Sequence, residues 1–250
     1  TPWPTTVPAS FTVGIEAVSA VPARQLALNV RLRDDATFAS FLGAAVHEPV
    51  LAALQAQCMA EGEPTLYLFG PAGSGKSHLL QAACHLCPGN SSYLPLADLG
   101  NLPAAELLGG LEGQRLLCID DLDRVAGQPE WEEALFHLFN RARENRCRLV
   151  FAADNSPRQL PVLLADLRSR LCWGPVFQLP APDDAGMQAI LQFRARCRGL
   201  DMPLEVSRFL VSRAPREMAS LMHVLETLDA RSLADKRALT VPFVKGVLGL

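Results

Sequence analysis

Gly70-Pro71-Ala72-Gly73-Ser74-Gly75-Lys76-Ser77 places three glycines, a lysine and a hydroxyl residue at the spacing of a phosphate-cradling loop. Backbone N–H groups reach phosphate oxygens only where no Cβ intrudes, and the loop needs conformations open mainly to glycine. Lys76 adds a mobile positive charge for the outer phosphates, and Ser77 offers a hydroxyl to Mg²⁺. The helix expected to begin near Gly75 directs its positive dipole end at the anion. These residues, with His78 next to them, point to a bound nucleoside di- or triphosphate. The apolar run Leu116-Leu117-Cys118-Ile119 ends in Asp120-Asp121. Asp120 is the candidate Mg²⁺ ligand, and Asp121 the candidate group that orients or deprotonates an attacking water. Asp is one methylene shorter than the more usual Glu at this second position, which limits its reach. A third apolar run, Arg148 to Ala153, ends in Asp154-Asn155. At the carboxyl edge of a parallel sheet either residue can sense phosphate or position water; the alternative is a turn that caps the following helix.

Arg168 and Arg170 lie in an otherwise apolar segment, Asp166 to Gly174. A guanidinium offers a fixed fork of donors to spreading phosphate charge. Two arginines at a helix C-terminus are also favoured by the dipole, so residue chemistry leaves both roles open. The clusters Arg141, Arg143, Arg146, Arg148 and Arg194, Arg196, Arg198 lack interleaved aromatics and fit solvated helix ends better than a nucleic-acid surface. The seven cysteines, an odd number scattered through expected strands and helices, fit reduced core thiols. Cys84 and Cys87 have the spacing of half a zinc site, but no second half follows.

The elements that must position these groups alternate. Strands are expected near 65–69, 92–96, 115–119, 148–153 and 175–179, with helices at 76–87, 103–109, 130–144 and 157–166. Helical spacing also runs from Phe38 to Met59, with Pro49 where a helix can begin. Short apolar strands alternating with helices indicate an α/β fold, a parallel sheet covered on both faces. After Pro180 and Pro182 the pattern becomes wholly helical. Asp183 or Asp184 can cap a helix to about Arg198, Pro203 opens one to Arg213, Pro215 one to Arg231, and Val241 a last one. The expected organisation is a leader over 1–24, a short peptide at 25–30, an α/β domain over 31–180 and a small all-helical domain over 181–250. The leader has four prolines and only Glu16 and Arg24 as charges.

With 49% hydrophobic and 20% charged residues the chain has enough apolar surface for a core, which excludes disorder of the whole. A net charge of -3 gives no general attraction to nucleic acid or membrane. No apolar run is long enough to span a bilayer and no signal pattern opens the chain, so a cytoplasmic location without membrane contact is expected.

Taken together these segments resemble the AAA+ ATPase module, specifically its DnaA-related branch, over about residues 25 to 250. Gly75-Lys76-Ser77-His78-Leu79-Leu80 is similar to the corresponding run of that branch, as is the Asp-Asp ending. The resemblance implies a P-loop parallel sheet with a helical lid. It makes Arg170, in Arg168-Ser169-Arg170-Leu171-Cys172-Trp173-Gly174, the arginine finger, Arg216 the second sensor on the nucleotide, and Asp154 the first sensor. The segment Trp131 to Arg141 and the ending Thr240 to Lys245 look like the short homologues, of the Hda type, that switch off the initiator after replication begins. Gln25-Leu26-Ala27-Leu28 resembles a sliding-clamp-binding peptide, although Asn29-Val30 replaces the Pro-Leu expected next. Such a peptide presents Leu26 and Leu28 to an apolar groove while Gln25 hydrogen-bonds at its edge.

The resemblance therefore implies ADP or ATP with Mg²⁺ as cofactors, ADP favoured. It implies the clamp and DnaA as partners, DNA contact mainly through the clamp, and a homo-oligomer as a further state. It also implies an activator of hydrolysis on DnaA with weak or no turnover of its own. The competing readings are a DNA-acting ATPase, either a helicase loader or a truncated initiator, and a phosphotransferase, for which no acceptor site is visible.

Overall fold

A computed structural model describes residues 32–59, 62–213 and 217–249. Gln25, Leu26, Leu28 and Arg216 lie outside the described residues. The first described elements are two 3-10 turns, Phe38–Ser40 and Ala45–His47, and α1, Glu48–Ala56, with Pro49 in its first turn. The expected continuous helical run is thus shortened to its second half. Then follow β1 (Thr65–Phe69), α2 (Lys76–Leu86), β2 (Ser91–Pro95), α3 (Leu96–Leu99), α4 (Ala104–Leu108), β3 (Leu116–Asp120), α5 (Pro129–Glu144), β4 (Arg148–Ala153), α6 (Ala165–Leu171) and β5 (Val176–Gln178). Four helices complete the described chain: α7 (Asp184–Cys197), α8 (Leu204–Arg213), α9 (Met218–Asp235) and α10 (Val241–Leu248).

The five strands form one parallel sheet in the order β2-β3-β4-β1-β5. Alternate residues face opposite sides of a strand, and here both sides are buried. On β4, Leu149, Phe151 and Ala153 join Trp131, Leu135 and Leu138 in one core, whereas Val150 and Ala152 join Leu54, Leu79 and Leu80 in the other. The helices after β5 enclose a third core around Leu191, Leu210, Leu225 and Val244. The fold is an α/β domain built on a parallel sheet, followed by a small all-helical domain with its own core.

Three sequence expectations are corrected. Residues 157–164 are not helical, and the helix lies later, at Ala165–Leu171. Pro161 cannot donate within a helix, and the N–H groups of Leu163 and Leu164 donate to the buried Glu132 carboxylate. Cys58 and Cys87 form a disulfide with Cα atoms 5.8 Å apart, because the ends of α1 and α2 pack side by side. Among the other five thiols, Cys84, Cys118 and Cys147 are buried, but Cys172 and Cys197 are exposed. Finally, of the arginines at the end of α7 only Arg196 is exposed; Arg194 and the cap residue Arg198 are turned inward. Arg194 is 4% exposed and donates to the carbonyls of Asp35 and Ser40 at 3.0 and 3.1 Å, as well as to the Asp35 carboxylate. Arg198 donates to the same carboxylate at 2.8 Å.

This cluster joins lid to sheet domain and makes the junction sensitive to acid. Partial burial pushes the Asp35 carboxyl up, but the hydrogen bond from Arg198 and the charges of Arg194 and Arg33 outweigh it and hold it down at about 2. A depressed carboxylate contributes stability above its ordinary range near 3.8, and that contribution is lost as pH falls towards about 2. Asp35→Asn is therefore expected to lower the thermal midpoint at pH 7 and to lose the difference from the parent chain below about pH 2, followed by thermal unfolding across pH. An unchanged midpoint at pH 7 contradicts the latch.

Candidate nucleotide site

The strand order brings the chemistry to one edge. β1 lies between β4 and β5, and β3 lies beyond β4, so the phosphate loop, Asp154 and Asp120-Asp121 emerge from neighbouring carboxyl ends. Residues 70–75 then turn into α2, whose cap residue Gly75 has φ 97°. A Cβ there would also come within 2.8 Å of the Phe41 ring, so both conformation and space require glycine. Gly73 (φ 80°) faces the lid, since a Cβ on it would sit 3.1 Å from the Met218 side chain. The loop is therefore packed between the sheet edge and the start of α9.

Lys76 is 6% exposed and is held within the loop: its ammonium donates to the carbonyls of Gly70 (2.5 Å) and Pro71 (3.1 Å) and to Asp154 Oδ1 (3.0 Å). Lys76 and Asp154, read separately from the sequence, thus form one ion pair. The backbone N–H of Asp154 donates to Asp123 Oδ1 at 3.1 Å, and the Tyr67 hydroxyl donates to the Asn155 carbonyl at 3.0 Å. These two contacts fix the end of β4. Neither Asp123 nor Tyr67 carries a motif that would have marked it.

Asp120 is fully buried; one carboxylate oxygen accepts from the Tyr93 hydroxyl (2.7 Å) and the other from the Asp121 N–H (3.0 Å). Burial and the Asp120 charge raise the Tyr93 hydroxyl far above its ordinary range, while contacts with Gln81 and Ser77 act in the opposite direction. Asp120, which Tyr93 contacts, and Ser77 are the two oxygen donors expected for Mg²⁺. Hard oxygen donors suit that ion, which takes its remaining ligands from phosphates and water. Cys87 is joined to Cys58 in the disulfide, which takes its sulfur away from the Cys84 and Cys87 pairing.

Asp121 is half-buried with φ 56°, a left-handed conformation that Asp tolerates. Burial first, then the charges of Asp120 and Asp123, raise its carboxyl to about 6. A carboxyl titrating there suits proton transfer better than one at 3.8. The His78 side chain is turned away from the loop. Its Nε2–H donates to the Thr37 carbonyl at 2.8 Å, which leaves its backbone N–H, in the first turn of α2, as the group able to face phosphate. Ser74 is buried, and its hydroxyl has no hydrogen-bond partner among the described residues.

Arg170 occupies a different part of the molecule. Its guanidinium lies 4.0 Å from the Phe136 ring centroid, and Nη1 donates to the Asn140 side chain and, at 3.4 Å, to the Phe136 carbonyl. All its hydrogen bonds among the described residues go to α5, none to residues 70–78. Stacking on an aromatic face restrains a guanidinium while leaving its outer edge available.

Residues 184–248 match the family described as Hda, lid domain, and residues 109–178 match the bacterial DnaA ATPase domain. Among solved structures, domain III of the Thermotoga maritima replication initiation protein DnaA superposes with a TM-score of 0.72 at 23% identity, covering 88% of this chain and 98% of that one. A replication initiator DnaA bound to AMPPCP and single-stranded DNA gives a TM-score of 0.65 at 20% identity, over 79% of this chain and 65% of that one. The RuvB Holliday junction branch migration motor of Thermotoga maritima gives 0.62 at 20% identity, over 85% and 71%. At these identities the structural likeness establishes the fold.

Proposed function

Because the chain is a DnaA- and Hda-related AAA+ protein, we propose that it is a nucleotide-bound regulator of replication initiation that accelerates ATP hydrolysis on DnaA. The observation that carries this reading is the position of Arg170, restrained on α5 apart from the chain's own phosphate loop. A guanidinium placed there serves a nucleotide held by another molecule, where its donors stabilise charge spreading over the transferring phosphoryl group. The chain's own nucleotide, seated on residues 70–78 with Mg²⁺ at Ser77 and Asp120, sets the relation of sheet domain to lid. The AMPPCP-bound initiator supports an adenine nucleotide, and a regulatory ligand that is not turned over favours ADP. The resemblance to the DnaA branch assigns Arg216 to the same nucleotide as its second sensor.

Gln25-Leu26-Ala27-Leu28 attaches the protein to a DNA-loaded sliding clamp, which raises its local concentration near the initiator. No helix among the described residues is long and apolar enough to cross a membrane. The test is phosphate release from ATP-bound DnaA on addition of this protein and clamp-loaded DNA; no acceleration overturns the reading. Gln25→Ala is expected to weaken retention on immobilised clamp by about tenfold, the effect of about 1.4 kcal/mol lost at the groove edge. Equal retention rules that peptide out as the main contact.

The likeness to a branch migration motor and to an initiator bound to single-stranded DNA supports a second reading, a DNA-acting ATPase. In that case single-stranded DNA stimulates the chain's own ATP hydrolysis in the absence of DnaA.

A further inference from the structure

A buried carboxylate outside the nucleotide site bears on the finger. Glu132, in the first turn of α5, is 2% exposed. It accepts four hydrogen bonds from the backbone: Gly127 N–H at 2.7 Å, Leu163 N–H at 3.0 and 2.9 Å to its two oxygens, and Leu164 N–H at 2.7 Å. Leu164 is the cap residue of α6 and makes no side-chain cap of its own. Glu132 thus fixes the backbone of the cap residue and of the one before it, as the carboxylate of a capping box holds the cap N–H.

Glu132, Phe136 and Asn140 follow one another at i, i+4 and i+8, so they line one face of α5. The first holds the entry to α6, and the other two hold Arg170 near its end. The lengths agree. Six residues from Leu164 to Arg170 rise about 9 Å, between the roughly 6 and 12 Å that separate Phe136 and Asn140 from Glu132 along α5. α6 has only seven residues, too few to hold its place by its own hydrogen bonds.

Resting on the reading of Arg170 as a finger in trans, we infer that Glu132 is a positioning residue: its carboxylate sets the start of α6 and thereby where the Arg170 guanidinium stands. A misplacement of about 1 Å at a reacting group costs about a hundredfold in rate. The side chain touches neither phosphate nor partner in this role, so its loss acts on the efficiency of the finger rather than on association.

The test titrates this protein, with clamp-loaded DNA, into ATP-bound DnaA and follows phosphate release for the parent chain, Glu132→Gln, Arg170→Ala and the double variant. Glu132→Gln replaces one oxygen by an amide N–H that opposes the Leu163 and Leu164 donors. The maximal rate is expected to fall about 10- to 100-fold. The half-saturating concentration and the affinity for ADP are expected to stay within about twofold, a split that general destabilisation does not produce. The double variant is expected to equal Arg170→Ala alone, as two residues acting through one group require. An undiminished maximal rate with Glu132→Gln, while Arg170→Ala is inactive, overturns this inference and leaves the trans reading intact. Full activity of Arg170→Ala overturns both.

If Glu132→Gln also loses ADP affinity, Leu164→Pro decides. It removes one donor to the carboxylate at φ -73°, a value proline adopts, and keeps the buried charge. A lower maximal rate with unchanged ADP affinity supports the inference, and an unchanged rate overturns it.

Discussion

Lys76→Ala is expected to lower ADP affinity by at least about a hundredfold, ~2.7 kcal/mol, measured by calorimetry with Mg²⁺ present. The loss exceeds that of a single contact because the ammonium is buried among acceptors and can turn its three donors from them to phosphate oxygens. It supplies charge-assisted hydrogen bonds, each worth roughly 1.5–3 kcal/mol. It also neutralises Asp154 at 3.0 Å and gathers the Gly70 and Pro71 carbonyls. Without it, Asp154 loses its ion-pair partner at 3.0 Å beside the loop, which adds repulsion to the lost attraction for phosphate. The variant should still fold, since the ion pair has one exposed partner, with Asp154 47% exposed at its side chain. Circular dichroism checks this independently of binding. Retained affinity would show that nucleotide, if bound, is bound elsewhere.

The second large effect concerns Arg170→Ala. If the finger acts on DnaA, the variant binds ADP as the parent does, because its hydrogen bonds run to Asn140 and Phe136 and not to the phosphate loop. Stimulation of DnaA hydrolysis should fall by about 10³-fold or to background, the range in which fingers supplied in trans act. Loss of the stack on Phe136 costs on the order of 1 kcal/mol of stability. That effect is small and separable by thermal unfolding. Equal loss of ADP affinity would place Arg170 in the chain's own site and remove the support for action in trans. Read together, the two variants divide the molecule: Lys76 governs the ligand this chain holds, Arg170 the ligand its partner holds.

Much of the fold was legible because its signals are local. Leu116 to Ile119 and Leu149 to Ala153 are short apolar runs buried on both faces, and periodicity along the chain reports that directly. Asp183 caps α7 through the Gly186 N–H at 2.7 Å, a pairing within four residues. Where the reading failed, the deciding partner was distant in sequence. Helical spacing over 157–166 lost to a carboxylate on α5, which takes up the amides of Leu163 and Leu164. Arg194 and Arg198 read as solvated because nothing nearby in sequence shows Asp35, 159 and 163 residues away, waiting for them. Tyr93 and Asp123 act within the site and belong to no motif, so only the folded chain brings them to Asp120 and to the end of β4.

The sequence alone determined the phosphate loop, the carboxylates that end β3 and the alternation of strand and helix, since glycine's missing Cβ and side-chain periodicity act within a few residues. The tertiary structure alone decided that Lys76 pairs with Asp154, that α7 latches onto Asp35 and that Arg170 rests on Phe136 and Asn140. Each of those contacts joins segments the chain must first bring together, at a closure cost and in a geometry that local residue types do not encode.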